Sequence, residues 1–465
     1  MCAGRPHDVL SIHRDTAQWH VQPDALCPKP VSQDLKADQV IPPRDATPMP
    51  QASVEATLGL LLDATALLLQ NGQTTQRSLE AARRLGAALH YHTDVFPRWG
   101  QITVRLWNRG VPSEAIAAAA PTDVNMAKVA ATMELIYGLA GRSLDVGAVQ
   151  AILEGIRQSE PVSTLRFRIM TGAGAAALGV IFGVSDLFSL TLITLSAIAG
   201  AASRQWLLRF SANPFLPPFA AALVAGIIGA VVVDFDLNSA PQLIAVCPCL
   251  VLVPGPHLLN GALDLARTEI SLGVARLAYA GTIILMICAG LLLGLAVGGV
   301  PLPASGVIVA VPFSHDALAA GVAVVAYGTF YSIPWRMLPI PVLIGVLAHA
   351  ARWVIVTAVG LRIELGAFIA CFIVSVTLTP IAGRLHLPFA GIAFASIVSL
   401  GPGVFLFRAG GGLVTLIALG AKAPTGLLQD VIVDGATAFV IVLAMAFGLI
   451  IPKLCIDHFH HAHPA

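Results

Sequence analysis

Charge is what this sequence has least of: 11% of its 465 residues are Asp, Glu, Lys or Arg, against about 25% in an ordinary soluble domain. Its formal net charge is +1, so no basic field points to a nucleic-acid partner. The seven cysteines have no regular spacing: Cys2, Cys27 and Cys455 lie in polar stretches, and Cys247, Cys249, Cys288 and Cys371 in apolar ones. That excludes a disulfide framework, and Cys247-Pro248-Cys249 reads as small reduced or lipid-facing residues rather than a metal site. There is no Gly-rich nucleotide loop ending in Lys-Ser or Lys-Thr, no zinc-protease helix motif and no nucleophile elbow. A nucleotide-driven motor and a recognisable hydrolase centre are therefore both excluded. No catalytic residue, cofactor or metal is expected, and the Asp457, His458, His460, His461 and His463 tail reads as solvated. The first 20 residues lack an apolar core of the signal-peptide kind, so the N-terminus is expected on the cytoplasmic side.

What is present is apolar: 56% of the residues are hydrophobic, and most of them fall after residue 166. Residues 1–50 hold eight prolines and no periodicity, and are expected to form a disordered tail. Residues 51–165 have mixed periodicity and sufficient length for a small cytoplasmic α/β domain. Within it Val54, Leu58, Leu61, Leu62, Thr65, Leu68 and Leu69 share a helical face, and Asn71-Gly72 supplies a stop. A second helix runs to about His90. Gln101–Leu106 alternates as a strand, and two further helical faces follow at Met126–Ala140 and Val146–Ile156.

Ten membrane spans are expected, at 167–183, 187–203, 218–235, 240–254, 277–298, 317–333, 338–358, 364–381, 388–405 and 430–451. An extra re-entrant piece is placed at 305–313. Gly172-Ala173-Gly174 and Gly226-x-x-Gly229 read as close helix packing. Arg166, Arg168, Arg204, Arg209, Arg267 and Arg276 all fall in loops on the N-terminal side, while loops 184–186, 234–240 and 299–316 carry no Lys or Arg. In the second half Arg336, Arg384 and Lys453 agree with this bias while Arg362, Arg408 and Lys422 fall on the other side. Taken together it puts both termini in the cytoplasm of a multi-pass inner-membrane protein, with Lys453 following the last span.

The membrane part also repeats. Arg204 and Arg352 close similar small-residue runs 148 residues apart, and Pro254-Gly255-Pro256 and Gly401-Pro402-Gly403 follow them at matching distances. Five spans per unit reverse the second copy, which gives two inverted five-helix repeats, 166–300 and 301–455, followed by the 456–465 tail. Proline and glycine break the fourth span of each, freeing backbone groups that only protein or water can satisfy. The polar groups at membrane depth nearest these breaks are Asn260, Asp264, His349 and Arg352, each charge costing about 2.5–3.5 kcal/mol there. Arg204, at a span end, reads equally as an interfacial anchor. A zwitterionic solute held between the breaks would use Pro254, Gly255, Pro256, Asn260, Asp264, Arg204, His349, Arg352, Gly401, Pro402 and Gly403, with Arg352 on its carboxylate or neutralising Asp264. Asp264 and His349 are the proton-coupling candidates.

From about 52 to 451 the chain resembles the threonine/serine exporter family. The resemblance is carried by Leu68-Leu69-Gln70-Asn71-Gly72-Gln73-Thr74-Thr75, by Val251 through Leu265 with Gly273-Val274-Ala275-Arg276, and by Pro334-Trp335-Arg336, Gly345-x-x-x-His349-x-x-Arg352, Gly360 through Glu364 and Gly401-Pro402-Gly403. It departs in lacking a Tyr shortly after the second break and in having His257 where many members have Pro or Leu. The resemblance implies export of threonine, serine or similar small polar amino acids, driven by the proton gradient or membrane potential. A C4-dicarboxylate cargo, as in some split relatives, or a passive small-solute channel are the alternatives. The partners implied are the substrate and the lipid bilayer, with a homo-oligomer left open.

Overall fold

The computed structural model describes residues 51–139, 145–235, 241–299, 311–385 and 387–462. The tail expected at 1–50, and all but the last three residues of the re-entrant piece expected at 305–313, lie outside them.

The chain opens with α1 (Gln51–Gln70) and α2 (Thr75–Ala88), then β1 (His92–Arg98), β2 (Gly100–Asn108) and β3 (Val111–Ala119), then α3 (Met126–Gly138) and α4 (Val146–Gln158). Gly72, at φ +92°, turns the chain out of α1, and the Gln73 N–H donates back to the Leu68 carbonyl (3.1 Å). Arg109 and Gly110, both at positive φ, make the two-residue turn between β2 and β3. The sheet is antiparallel in the order β1-β2-β3. Only β2 was legible as a strand: Pro97 in β1 and the run of alanines in β3 carry little strand propensity, and both lie on edges, where proline is tolerated. α1 is buried on more than the expected face. Leu60, Ala64 and Leu67 are buried alongside Leu61 and Leu68, because the sheet and α2, α3 and α4 all pack on it. These elements share one hydrophobic cluster, apart from that of the later helices.

The later helices are α5 (Thr164–Ile181), α6 (Leu187–Leu207), α7 (Leu216–Asp234), α8 (Pro241–Leu250), α9 (Gly255–Ala266), α10 (Ile270–Val297), α11 (Phe313–Phe330), α12 (Pro339–Trp353), α13 (Ile363–Arg384), α14 (Phe389–Ile397), α15 (Gly403–Leu419) and α16 (Thr425–Ala462). Among the described residues seven are long and apolar enough to cross a membrane, or eight if the bent α8–α9 pair is one span. The chain is a polytopic helical membrane protein. α15, one of the seven, received no span in the sequence reading, which ended its ninth at 405. Small residues set the tightest contacts: a Cβ on Gly226 or Gly294 would strike backbone of the facing helix where α7 crosses α10. Lys453 lies inside α16, which continues past the expected end of the last span, and is 3% exposed. It pairs with Asp457 (2.9 Å), which also takes Arg267 (2.7 Å).

Candidate functional site

Both expected breaks are present. α8 gives way to α9 across residues 251–254 with a 55° bend, and α14 passes through a 3-10 turn (Val398–Leu400) before α15 restarts at Gly403. Proline is the helix N-cap at both restarts, Pro254 and Pro402. The breaks also meet. A Cβ on Gly255 would fall inside the Phe394 ring of α14, and one on Gly403 would fall on Leu250 at the end of α8. Each restart glycine is therefore a close-approach position against the other half.

The backbone at the breaks is less free than expected. The Gly255 N–H donates to the Val253 carbonyl (2.9 Å), and the His257 N–H to the Pro254 carbonyl (3.2 Å). The Leu250 carbonyl, left over where α8 stops, accepts the Tyr327 hydroxyl (2.8 Å). Local turns and one buried tyrosine thus satisfy groups that lipid could not. The helix termini keep their dipoles rather than a set of orphan amides.

The polar candidates separate into groups. Asn260 and Asp264 lie on one face of α9, both buried. The Asn260 amide donates to the Gly72 carbonyl (3.0 Å), so the first turn of the chain reaches into the membrane helices. Asp264 pairs with Arg276 of α10 at 3.4 Å, the side chains 4% and 1% exposed, and Thr75 faces the same carboxylate. Arg352 is not its partner. Arg276 had been assigned to a loop because the fifth span was started at 277, whereas α10 begins at Ile270 and carries Arg276 into the core.

His349 and Arg352 stand near the C-terminus of α12. His349 Nδ1 lies 3.0 Å from Asp316 Oδ2, with the side chains 0% and 4% exposed, and Arg352 is close enough to act on the same carboxylate. The His349 Nε2 lies by the Ser399 backbone, just before the second break, without a hydrogen bond. Asp316 was missed by the sequence reading, which left it in the loop 299–316. Its signal was modest: a single acid one turn into an apolar run. Arg204, at the end of α6, is half-buried, its guanidinium over the Phe330 ring at 4.8 Å.

The structure thus joins the two breaks to each other, Asp264 to Arg276, and His349 and Arg352 to Asp316. It does not bring Asp264 to Arg352. Cys247 and Cys249 are buried free thiols, and among the described residues no three His, Cys, Asp or Glu side chains cluster as for a metal.

Two family models match, one described as a threonine/serine exporter over residues 59–298 and one as "Threonine/Serine exporter, ThrE" over 316–455. No curated protein and no solved structure matches the chain. The first model alone spans more than half of the sequence and includes the first break, while the second includes the His349 pair and the second break. With both halves accounted for in one polypeptide, the chain belongs to the threonine/serine exporter family in its fused, two-part form.

Proposed function

We propose that the protein is a secondary active exporter of threonine, serine or similar small polar amino acids, driven by the proton gradient or membrane potential. The observation that carries this reading is the contact between the two broken helices, flanked by one buried ion pair on α9–α10 and one buried His–Asp pair on α11–α12. Broken helices meeting at the interface of two repeats are where secondary transporters hold their cargo. Charged groups at that depth are costly and mark substrate or ion pathways.

The membrane part is read as ten segments in two inverted repeats, α5–α10 and α11–α16, with α8–α9 and α14–α15 as the broken fourth of each. Neighbour relations support this: α5 packs on α6 as α11 does on α12, α7 on α10 as α13 on α16, and α9 on α10 as α15 on α16. An offset of 148 residues lays Pro254-Gly255 on Pro402-Gly403 and Arg204 on Arg352. An ion pair joins the helices in each half, Asp264–Arg276 between α9 and α10 and, at positions not related by that offset, Arg408–Asp434 (3.1 Å) between α15 and α16.

The reading places the protein in the inner membrane with both termini and residues 51–165 on the cytoplasmic side. Cys455, exposed on α16, is then expected to escape an impermeant thiol reagent in intact cells and to react after permeabilisation. Reaction in intact cells would mean the span count is off by one. The function itself is tested by feeding cells threonine- and serine-containing dipeptides. Cells carrying the gene should release the free amino acids faster than cells lacking it, and equal release with faster succinate loss would favour the dicarboxylate cargo.

A further inference from the structure

The N-terminal elements do more than rest on the membrane helices. The segment from Thr122 to Met126 enters them: the Tyr279 hydroxyl donates to the Thr122 carbonyl (3.4 Å), and the Met126 N–H donates to the Tyr331 carbonyl (2.9 Å). Met126 is fully buried among the membrane helices, against Gly391. Tied at both ends, the segment holds Asp123 between two tyrosines, with its side chain exposed and, among the described residues, in no ion pair.

Those tyrosines flank Arg204. The guanidinium lies over Phe330 at 4.8 Å and Phe167 at 5.6 Å, and among the described residues no carboxylate comes within ion-pair distance of it. Tyr279, Tyr331 and Asp123 are its polar neighbours. The Tyr331 hydroxyl is buried and has no hydrogen-bond partner among the described residues, on a residue 2% exposed. A buried hydroxyl left unpaired is destabilising, so a ligand oxygen there would relieve it. The place adjoins the first break: the His257 ring meets Tyr279 edge-on at 5.2 Å, and Phe394, which covers Gly255, meets Tyr331 at 6.3 Å.

We propose that Arg204, Tyr331 and Asp123 form a recognition site for an α-amino acid, completed by the N-terminal segment. Arg204 and the Tyr331 hydroxyl take the carboxylate, and Asp123 takes the α-ammonium group. A guanidinium fixed by aromatic rings presents its planar fork with little further loss of freedom, which suits a carboxylate. Asp123 sets the choice of cargo, since an acid lacking the amine, or bearing a second carboxylate, meets its negative charge and is repelled. The N-terminal segment is then part of the specificity of transport, and this assignment rests on the export reading.

The test uses the purified full-length protein and labelled threonine, competed by 3-hydroxybutyrate, which lacks the amine, and by threonine amide, which lacks the carboxylate. Wild type should bind threonine, and each analogue should compete about 100-fold more weakly. Asp123→Asn should weaken threonine by about 10-fold or more and leave 3-hydroxybutyrate unchanged or improved. Arg204→Gln should do the reverse, weakening both carboxylates and sparing threonine amide, and Tyr331→Phe should weaken both carboxylates to a smaller degree. Variants are compared only at wild-type elution and melting behaviour; Asp123→Glu and Arg204→Lys replace any that fail, with the same direction expected. Unchanged threonine affinity and unchanged analogue order in the folded Asp123 and Arg204 variants would overturn the site while leaving export intact. A wild-type protein that binds no threonine would overturn the export reading and the site with it.

Discussion

Arg276→Gln is expected to remove most of the folded protein from the membrane. The guanidinium is 1% exposed and its partner Asp264 is 4% exposed, so the substitution leaves a buried carboxylate without its ion-pair partner, with Thr75, Glu269 and Arg267 as the other groups that act on it. Breaking a buried pair by removing one member costs about 3–5 kcal/mol, comparable with the whole stability of many domains, about 5–15 kcal/mol. The double variant Asp264→Asn with Arg276→Gln keeps the shapes and removes both charges. It should recover much of the yield and melting temperature that the single change loses. Detergent-extracted yield and thermal melting of wild type, single and double variants decide the matter. A single variant as stable as wild type, or a double variant no better than the single, would mean the pair does not hold α9 to α10.

The second large effect concerns Asp316 and His349. Their 3.0 Å contact is buried against the turn that leads into the second break, where a proton gained or lost changes the charge next to a helix joint. Imidazole is the side chain that exchanges a proton most readily near neutral pH. Asp316→Asn and His349→Gln are each expected to cut gradient-driven accumulation by about 100-fold, within the range that positioned proton-transfer groups supply. Exchange of internal for external threonine without a gradient should continue, since it needs the carrier to reorient only while loaded. Loss of exchange together with accumulation would make the pair structural. Retention of both would remove it from coupling.

The sequence disclosed the breaks more readily than their partners. Pro254-Gly255-Pro256 and Gly401-Pro402-Gly403 were legible because proline and glycine inside an apolar run have few structural readings. The spacing that links them survives as well, since Pro254 and Pro402 both cap restarting helices. Which charge meets which was not legible, because an ion pair across two helices is a tertiary fact with no periodicity. Arg276 and Asp316 were lost for one shared reason. Hydropathy begins a span at its first apolar residue, while both helices begin earlier and carry a charge into the core, where each finds a partner of opposite sign. Arg352 was legible as a buried charge, but of the two roles given it, neutralising Asp264 does not hold: Asp264 pairs with Arg276, and Asp316, set aside in a loop, is the acid that acts on Arg352.

In the N-terminal part the helices were legible and the sheet was not. Val54, Leu58, Leu61 and Leu68 mark α1 by spacing alone, whereas an alanine-rich edge strand such as β3 has no alternation to find. The insertion of this part into the membrane helices left a faint trace, the polar run Asn71–Thr75. Its residues are all buried, although a solvent-facing helix connection was the natural expectation. Their burial makes sense only once α9 is seen to present Asn260 to Gly72.

The most direct measurement is threonine flux through the purified full-length protein in sealed liposomes, with labelled threonine, serine and succinate compared under an imposed proton gradient and membrane potential. Export by a coupled carrier predicts accumulation of threonine and serine against their own gradients, abolished by uncoupler, with succinate excluded. Threonine flux that ignores both gradient and uncoupler would point to a passive channel, and accumulation of succinate without threonine would contradict amino-acid export outright.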